Sequence, residues 1–340
     1  TRIGIEGPMQ TNLSAAARKL PGADVAESVL RSCVHCGFCN ATCPTYQLLG
    51  DELDGPRGRI YLMKQMLEGN AVSASTRLHL DRCLSCRNCE TTCPSGVQYH
   101  KLLDFSRIAI EQWTPRPLGE VVLRSLLRSV LPRPQVFKTL LQVGNAVRPL
   151  LPELLSAKLP RPTPMVRPRP LVHHARTVLM LEGCVQPGLA PNTNAAAARV
   201  LDRLGISVLT AAEASCCGAV DFHLDAQEAG RARARRNIDA WWPVIEGGEG
   251  AKLEAIVITA SGCGAFVKEY GFLLRDDPLY AEKAARVSAL ASDLVEVLPS
   301  EALEKLGVRA DKRVAFHCPC TLQHAQKLGG AVEAVLTRLG

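Results

Sequence analysis

Two short cysteine runs contain the residues of this sequence whose types and spacing point most directly to chemistry. Each run reads C-x2-C-x2-C-x3-C-P, the first over residues 33–44 and the second over residues 83–94. In this spacing a tight loop presents three thiolates to one 4Fe–4S cluster, and the fourth cysteine, placed before a helix-starting proline, ligates the other cluster. The predicted ligands are Cys33, Cys36, Cys39 and Cys93 for cluster one, and Cys83, Cys86, Cys89 and Cys43 for cluster two.

A structural zinc site and a set of disulfides are the plainer alternatives for these runs. Zinc sites normally combine paired C-x2-C halves, rather than two runs of four cysteines that each end in proline. The chain has 14 cysteines; eight lie in the runs, and five of the other six fall in short local motifs. This clustering favours metal over disulfides and predicts a reducing compartment, where thiolates stay free.

The size and composition allow two packed domains. A chain of 340 residues that is 47% hydrophobic but only 4% aromatic can build full cores from Leu, Val and Ala. Residues 1–8 lack the pattern of a secretory signal, and Met9 reads as a natural start, so we expect residues 1–8 to be an upstream extension or a tag remnant. No run of 18 apolar residues occurs, so no membrane-spanning helix is expected.

The elements that must position the two runs are predicted to be helices. Residues 9–32 read as a helical lead-in to the first run. Between the runs, Pro56 can begin a helix that Gly69-Asn70 ends, and a second short helix is predicted over 76–82. We therefore expect a mostly α-helical two-cluster domain over residues 9–114.

Residues 115–176 form a basic, proline-rich linker with short helical pieces. They contain eleven of the 22 prolines, and eleven Lys or Arg against only Glu120 and Glu153, a balance of +9 in a chain of net charge +7. Such a segment either lies on anionic lipid or an acidic partner, or is a solvated strap over the two domains. Composition alone does not choose between these hypotheses. Nucleic acid is disfavoured, because no aromatic residues are interleaved with the charge.

The C-terminal part has the pattern of an α/β domain. Strands are predicted over 177–181, 206–209 and 255–259, and helices over 192–204, 225–242, 265–275 and 281–298, with Asn192-Thr193-Asn194 capping the first of these. Each predicted strand is followed by cysteine. Because ligands of open parallel sheets bind at the carboxyl ends of strands, these cysteines are metal-site candidates. They are Cys184, Cys216, Cys217 and Cys263.

An internal repeat extends this pattern to the end of the sequence. The segment Val178 to Cys184 and the helix after it are echoed by Val314 to Cys320 and a helix ending at Gly340. The repeat predicts a strand over 313–316, followed by Cys318 and Cys320 as an incomplete metal site. The expected domains are therefore a first cysteine-rich repeat over 177–312 and the start of a second, incomplete one over 313–340.

Three stretches carry a resemblance to a known family. They are 34–39 (VHCGFC), 47–59 (QLLGDELDGPRGR) and 262–270 (GCGAFVKEY). Together with two ferredoxin-type runs followed by a Cys-Cys-Gly motif, they resemble the iron–sulfur subunits of bacterial glycolate oxidase (glycolate dehydrogenase), with heterodisulfide reductase catalytic subunits as more distant cousins. The likeness runs from about Met9 to Gly340.

The resemblance implies an electron-transfer subunit of an oxidoreductase complex. FAD-containing partner subunits would oxidise glycolate to glyoxylate, and this chain would pass the electrons toward quinone. It would lie in the cytoplasm, peripherally on the inner face of the cytoplasmic membrane. In the disulfide-reductase pattern a fifth cysteine stands where this chain has Ala260. The four remaining thiols favour a third iron–sulfur or other four-coordinate site, with redox or structural thiols as the alternative.

The chain lacks residues for oxidising an organic substrate by itself. No Gly-rich dinucleotide fingerprint, phosphate loop or Ser/His/Asp constellation occurs, so we predict no catalytic residue and no bound FAD or NAD. Three alternatives stay open. The first is the same subunit in a lactate or glycerol-3-phosphate dehydrogenase complex; the second is a heterodisulfide-reductase-like catalytic subunit; the third is a structural zinc protein.

Overall fold

The computed structural model describes residues 9–165, 167–170, 172–247, 253–308 and 313–339. The chain divides into two compact units: Thr1–Val121 with Gln323–Lys327, and Val122–Leu322 with Leu328–Gly340. The first is helical and the second α/β, which confirms the predicted α+β class. The extension expected at residues 1–8 lies outside the described residues.

The first unit is built from short helices around the two cysteine runs. Its α-helices are α1 (Ala15–Arg18), α2 (Ala23–Ser32), α3 (Pro44–Leu49), α4 (Pro56–Leu67), α5 (Ala74–Asp81), α6 (Asn88–Thr92) and α7 (Tyr99–Trp113), with 3-10 turns at Phe38–Asn40 and Glu52–Asp54. Pro44 and Pro56 are the first residues of α3 and α4, where a missing N–H leaves no hydrogen bond unmade. The helices predicted between the runs are α4 and α5.

One apolar core holds these helices together. Its fully buried side chains come from α2, α4, α5 and α7: Leu30, Met63, Leu67, Leu80, Leu102, Leu103 and Ile110. In α4, Ile60, Met63 and Leu67 recur at helical spacing and all lie in this core, as the periodicity predicts. Cys33 and Cys89, one from each run, are buried in the same cluster, so the core directly anchors both loops.

The second unit contains a four-stranded parallel sheet of order β2-β1-β3-β4. Its strands are β1 (Arg176–Met180), β2 (Ile206–Leu209), β3 (Leu253–Ile258) and β4 (Ala291–Asp293). The first three confirm the strands predicted from the sequence. The sheet has one apolar core on each face, and alternate residues of β1 point to opposite cores. Leu179 packs in the first core, and Val178 and Met180 pack in the second. A strand buried on both faces reads as a continuous apolar run, which is the pattern the sequence shows.

Helices cover both faces of this sheet. The α-helices from the linker onward are α8 (Leu118–Val130), α9 (Pro134–Ala146), α10 (Glu153–Ser156), α11 (Gln186–Leu189), α12 (Pro191–Arg203), α13 (Ala219–His223), α14 (Gln227–Gly247), α15 (Ser261–Val267), α16 (Tyr270–Leu273), α17 (Ala281–Leu290), α18 (Leu294–Val297) and α19 (Ala331–Leu339). Short 3-10 turns lie at Arg148–Leu150, Leu298–Ser300 and Leu303–Leu306, and a π-helical turn at Thr321–Ala325. Ile238 and Trp241 of α14 pack on one face of the sheet, and Ala197 and Leu201 of α12 on the other.

The strand predicted at Arg313–Phe316 is wrong. This segment has no regular structure, and Val314 and Phe316 are exposed. A strand forms only by pairing with a neighbour, and none of the four strands in the described chain pairs with these residues. The helix of the expected second repeat does form, as α19.

Two boundaries in the α/β region also differ from prediction. The helix predicted over 281–298 ends at Leu290, because Ala291–Asp293 pairs with β3 as an edge strand too short to give a periodic signal. Asn192 to Asn194 do not precede α12 as a cap. They lie in its first turn, because Pro191 already occupies the first helical position.

Among the described helices, none is both long and apolar enough to cross a bilayer.

Gly58 provides a test of how tightly the first unit is packed. A Cβ at this position would lie 2.1 Å from the Glu52 carbonyl oxygen, so α4 and the Glu52–Asp54 turn would have to separate. We expect Gly58→Ala to lower the free energy of unfolding by about 2 kcal/mol, as overpacking does. Circular dichroism during urea unfolding measures this. Gly119→Ala is the control: nothing lies within 4 Å of its Cβ. Equal urea-unfolding midpoints of Gly58→Ala and Gly119→Ala would contradict the close packing of α4 on the Glu52–Asp54 turn.

Candidate metal centres

The first cluster site predicted from the sequence corresponds to a pocket of about 430 Å³ in the first unit. The structure brings all four predicted cysteines to its wall, three from the first run and Cys93 from the second. Apolar side chains complete the wall: Val34, Phe38, Pro56, Ile60, Pro94 and Val97. Four thiols around an apolar pocket fit a thiolate-ligated iron–sulfur cluster.

A second pocket of about 420 Å³ gathers the other predicted set. Cys83, Cys86 and Cys89 come from the second run, and Cys43 is contributed by the first. Cys43 is buried, and the Thr45 hydroxyl lies 3.2 Å from its sulfur. This donor set again fits a four-thiolate iron–sulfur cluster.

The two pockets share a wall. Pro56, Cys89 and Tyr99 line both of them. The runs are also tied together by their backbones, because the Asn88 side-chain amide donates to the Thr42 carbonyl at 3.0 Å. Two clusters bound in these pockets would therefore be immediate neighbours.

Both cysteine loops have the same unusual backbone. In each, the residue before the second cysteine and the residue after it have positive φ: His35 (55°) and Gly37 (85°) in the first run, and Ser85 (52°) and Arg87 (60°) in the second. Three of these four are not glycine, and such conformations cost about 1 kcal/mol or more each. Conformations of this kind turn successive N–H groups into concave anion-binding nests. A shared strained backbone therefore supports two equivalent, anion-holding sites.

Burial keeps several of these sulfurs protonated when no metal is near. Desolvation raises the pKa of Cys33, raises that of Cys39 to about 11, and raises that of Cys89 strongly. Thiols in such surroundings become thiolates when a cation replaces the proton, as iron does.

The four cysteines predicted as a third site meet in the second unit. Cys184 follows β1, Cys216 and Cys217 lie in the loop after β2, and Cys263 lies in α15 after β3. The thiols of Cys184 and Cys217 both contact the Cys216 sulfur, and Cys217 also contacts Cys263. The loops and the helix that follow three adjacent parallel strands thus bring four thiols into a connected row at one edge of the sheet, as expected for an open α/β sheet.

Contacts between neighbouring thiols of this group shift their pKa values in opposite directions. Hydrogen bonds from Cys184 and Cys217 lower the pKa of Cys216, and the hydrogen bond from Cys217 lowers that of Cys263. The same contacts raise the pKa values of Cys184 and Cys217. The Gly218 N–H also lies 3.5 Å from the Cys216 sulfur. Four thiols linked in a row, each in contact with the next, suit a four-thiolate metal site, and equally a set of redox-active thiols.

A buried hydrogen-bonded clamp holds the Cys216-Cys217 backbone in place. Asn237 of α14 donates to the Cys216 carbonyl at 3.0 Å, and the Tyr270 hydroxyl donates to the Cys217 carbonyl at 2.6 Å. Asn237 also donates to the Tyr270 oxygen at 3.1 Å. Sequence reasoning missed both roles. Tyr270 stands in a stretch that carried the family resemblance, but Asn237 gave no local signal.

Position 218, which follows the cysteine pair, requires glycine because its backbone has a positive φ and because a side chain there has no room. Its φ is +101°, and a Cβ would lie 2.6 Å from the Gly230 carbonyl oxygen. Gly230 is equally constrained, since a Cβ there would lie 2.9 Å from that of Phe222. The two glycines allow α14 to approach the cysteine loop closely.

Cys318 and Cys320 do not join this group in the described part of the chain. Cys318 packs partly against the second core of the sheet, and Cys320 is exposed. They lie in the irregular segment and at its end, rather than after the strand that was predicted there.

Two family models match the chain. Residues 29–97 match a 4Fe-4S dicluster domain, and residues 178–268 match a cysteine-rich domain. The first range contains all eight cysteines of the two runs, and the second contains the four thiols gathered at the strand ends.

Several curated proteins are similar to the chain. The glycolate oxidase iron–sulfur subunit of Escherichia coli (strain K12) is 68% identical over 98% of this chain and 81% of its own length. The probable glycolate oxidase iron–sulfur subunit of Bacillus subtilis (strain 168) is 31% identical over 80% of this chain and 66% of its own length. Lactate utilization protein A of Bacillus licheniformis is 27% identical over 46% of this chain and 61% of its own length. No solved structure matches significantly.

Replacing Tyr270 with Phe tests the clamp. The change removes the hydroxyl that donates to the buried Cys217 carbonyl, and an unsatisfied buried carbonyl costs about 1–3 kcal/mol. We expect a loss of stability in that range, measured by urea unfolding followed by circular dichroism. Tyr280→Phe is the matched control, because its hydroxyl donates to Asp239 in an exposed position. Equal losses in the two variants would contradict the clamp.

Proposed function

The chain belongs to the family of glycolate oxidase iron–sulfur subunits, and from this membership we propose that it carries electrons from FAD-containing partner subunits toward quinone. It is thus a subunit of an oxidoreductase complex rather than the chain that oxidises substrate. The observation that carries the proposal is the shared wall of the two four-thiol pockets. Neighbouring metal centres separated by one layer of side chains are what a relay of electrons needs.

The proposed ligands are the two sets of four cysteines around the pockets. Bound 4Fe–4S clusters supply one-electron transfer, which lets the electron pair taken from glycolate by a flavin pass on singly. The protein's own contribution is to hold the thiolates, exclude water with the apolar walls and fix the surrounding charge. Tyr99, in the shared wall, stays protonated because burial raises its pKa well above the usual value, with Cys83 adding to the effect.

We further propose a third iron–sulfur cluster at Cys184, Cys216, Cys217 and Cys263. The gathering of the four thiols at the strand ends and the polar clamp behind the Cys216-Cys217 backbone support this site. The alternative, thiols that themselves react, would make the second unit a disulfide-reducing module. Iron content separates the two.

Iron and acid-labile sulfide per chain test both proposals, on protein purified without air. Two 4Fe–4S clusters require about eight irons and a third brings the total to about twelve. We expect twelve in the wild type, and four fewer in Cys86→Ser and in Cys263→Ser. Cys320→Ser is the control and should lose none, because this exposed cysteine lies outside the three sets.

Activity of the complex gives a separate readout. Cys86→Ser should abolish transfer from glycolate to an artificial quinone while the flavin subunits still reduce a direct flavin acceptor. Full quinone reduction by this variant would refute the relay. Because substrate choice lies in the flavin subunits, lactate and glycerol 3-phosphate should be tried in the same assay. Faster turnover of either would favour the sister complexes over glycolate.

We also propose that the chain binds peripherally to the cytoplasmic face of an anionic membrane, through α8, α9 and α10. In α8 the usual amphipathic arrangement is reversed: Arg124 and Arg128 bind Asp225 and Asp221 of the same unit, while the apolar side chains face outward. Its residues Val122, Leu123 and Leu126 are each 57% exposed. Exposed apolar residues continue through α9, the 3-10 turn after it and α10: Val136, Leu140, Val143, Leu150, Leu154 and Leu155.

Uncompensated positive charge surrounds this apolar surface. Six cations form no ion pair with a carboxylate of the described residues: Arg133, Lys138, Arg148, Lys158, Arg161 and Arg167. Residues 121–170 contain only one acid, Glu153. Apolar residues flanked by Lys and Arg are the combination that binds the interface of an anionic bilayer. This arrangement favours lipid over the solvated strap.

Vesicle sedimentation tests the membrane proposal. We expect binding to vesicles that contain phosphatidylglycerol, weak binding to pure phosphatidylcholine, and release by high salt. Leu123→Asn with Leu126→Asn should weaken binding at least tenfold, since each inserted leucine contributes roughly 1.5–3 kcal/mol. Leu279→Asn is the control, an even more exposed leucine elsewhere in the unit. If the double variant binds like this control, the surface does not contact lipid.

A further inference from the structure

The two four-thiol pockets differ in the charge that is buried beside them. At the first pocket the nearest guanidinium is that of Arg57, which lines the wall. Its Nε donates to the Glu52 carboxylate at 2.7 Å, and about a third of its side chain (35%) is exposed. The first pocket therefore has a compensated and solvated ion pair at its side, with little net charge.

Arg107 of α7 lies beneath the loop of the second pocket without any such compensation. It is 7% exposed and donates only to neutral acceptors: the carbonyls of Leu80 (3.2 Å) and Cys83 (3.3 Å) and the hydroxyl of Ser85 (3.4 Å). No carboxylate in the described part of the chain forms an ion pair with it. Burying an unpaired cation is costly, so a stable protein needs negative charge nearby.

Arg59 places a second buried cation directly on the wall of the same pocket. It is 1% exposed, and its Nη1 lies 4.0 Å from the Cys43 sulfur. Its acidic partner is the fully buried Asp54, at 3.3 Å, but the other oxygen of that carboxylate accepts from Arg82 at 2.8 Å. One carboxylate is thus shared by two guanidinium groups, and the group has a net positive charge.

We propose that Arg59 and Arg107 balance the negative charge of the cluster at the second pocket and hold its reduction potential above that of the cluster at the first. This inference rests on the proposed function, because it requires both clusters. Four thiolates give such a cluster a net negative charge, and reduction adds one more. Buried cations therefore stabilise the reduced form, whereas a solvated ion pair has a smaller effect.

The asymmetry gives the two pockets an order in the relay. An electron shared by the pair would reside mainly at the second pocket, which makes it the downstream member. The negative charge proposed at the second pocket also explains why Arg107 is tolerated in the interior. Its counter-charge is the ligand set of the pocket rather than a carboxylate.

Redox titration followed by electron paramagnetic resonance, on the full chain in its complex, tests the inference. The component altered by Cys36→Ser identifies the first pocket, and the component altered by Cys86→Ser identifies the second, which separates both from the cluster proposed in the other unit. In Arg107→Met we expect the reduced-to-oxidised ratio of the second-pocket component, at a fixed potential, to fall at least tenfold, which is about 59 mV for a one-electron couple. Arg107→Lys keeps the charge and should restore most of the ratio. Asp54→Asn removes the shared negative charge and should shift the same component in the opposite direction.

Arg77→Met is the matched control. Arg77 is also buried (5% exposed), but it is paired with Glu111 and lines neither pocket, so its loss should move neither potential. The inference is overturned if Arg107→Met behaves like this control, if both components shift equally, or if Arg107→Lys shifts as far as Arg107→Met. If Arg107→Met fails to assemble the second cluster, Asp54→Asn decides, and an unchanged potential overturns the inference. A wild-type chain without two cluster signals would instead refute the proposed function.

Discussion

Each pocket of the first unit takes three thiols from one cysteine run and the fourth from the other, and this exchange constrains the rest of that unit. The runs are separated by α4 and α5, so neither pocket is complete until α2, α4, α5 and α7 have packed. Cys33 and Cys89 are buried in that core, which couples the position of each loop to helix packing. Folding of the unit therefore completes both pockets together.

The two units position thiols by different physical means. In the first, strained loop residues such as His35 and Ser85 turn the backbone around each pocket. In the second, the loops after parallel strands deliver the thiols, and Asn237 and Tyr270 fix them from behind by hydrogen bonds. The first arrangement is local in sequence. The second depends on residues that lie 21 and 53 positions from the cysteines they hold.

The positively charged side chains occupy two distinct environments, which the net charge of +7 does not show. Some guanidinium groups are buried beside the second pocket, and others on α8 form ion pairs with Asp221 and Asp225 of the same unit. Because α8 turns its charged side inward, its leucines and valines face out. In α8 the arginines are thus paired within the unit while the apolar face stays exposed.

The sequence by itself determined which cysteines share each pocket of the first unit, the three main strands and the division into a helical and an α/β part. These features depend on local spacing: four cysteines before a proline, and apolar runs of strand length, have few alternative conformations. Tertiary structure decided what local spacing cannot encode. It left Arg313–Phe316 unpaired and made Ala291–Asp293 an edge strand, since pairing depends on a neighbour. It also buried Arg107 among neutral acceptors of the described residues and brought Asn237 to the cysteine pair, because burial and long-range hydrogen bonds exist only once distant segments have packed.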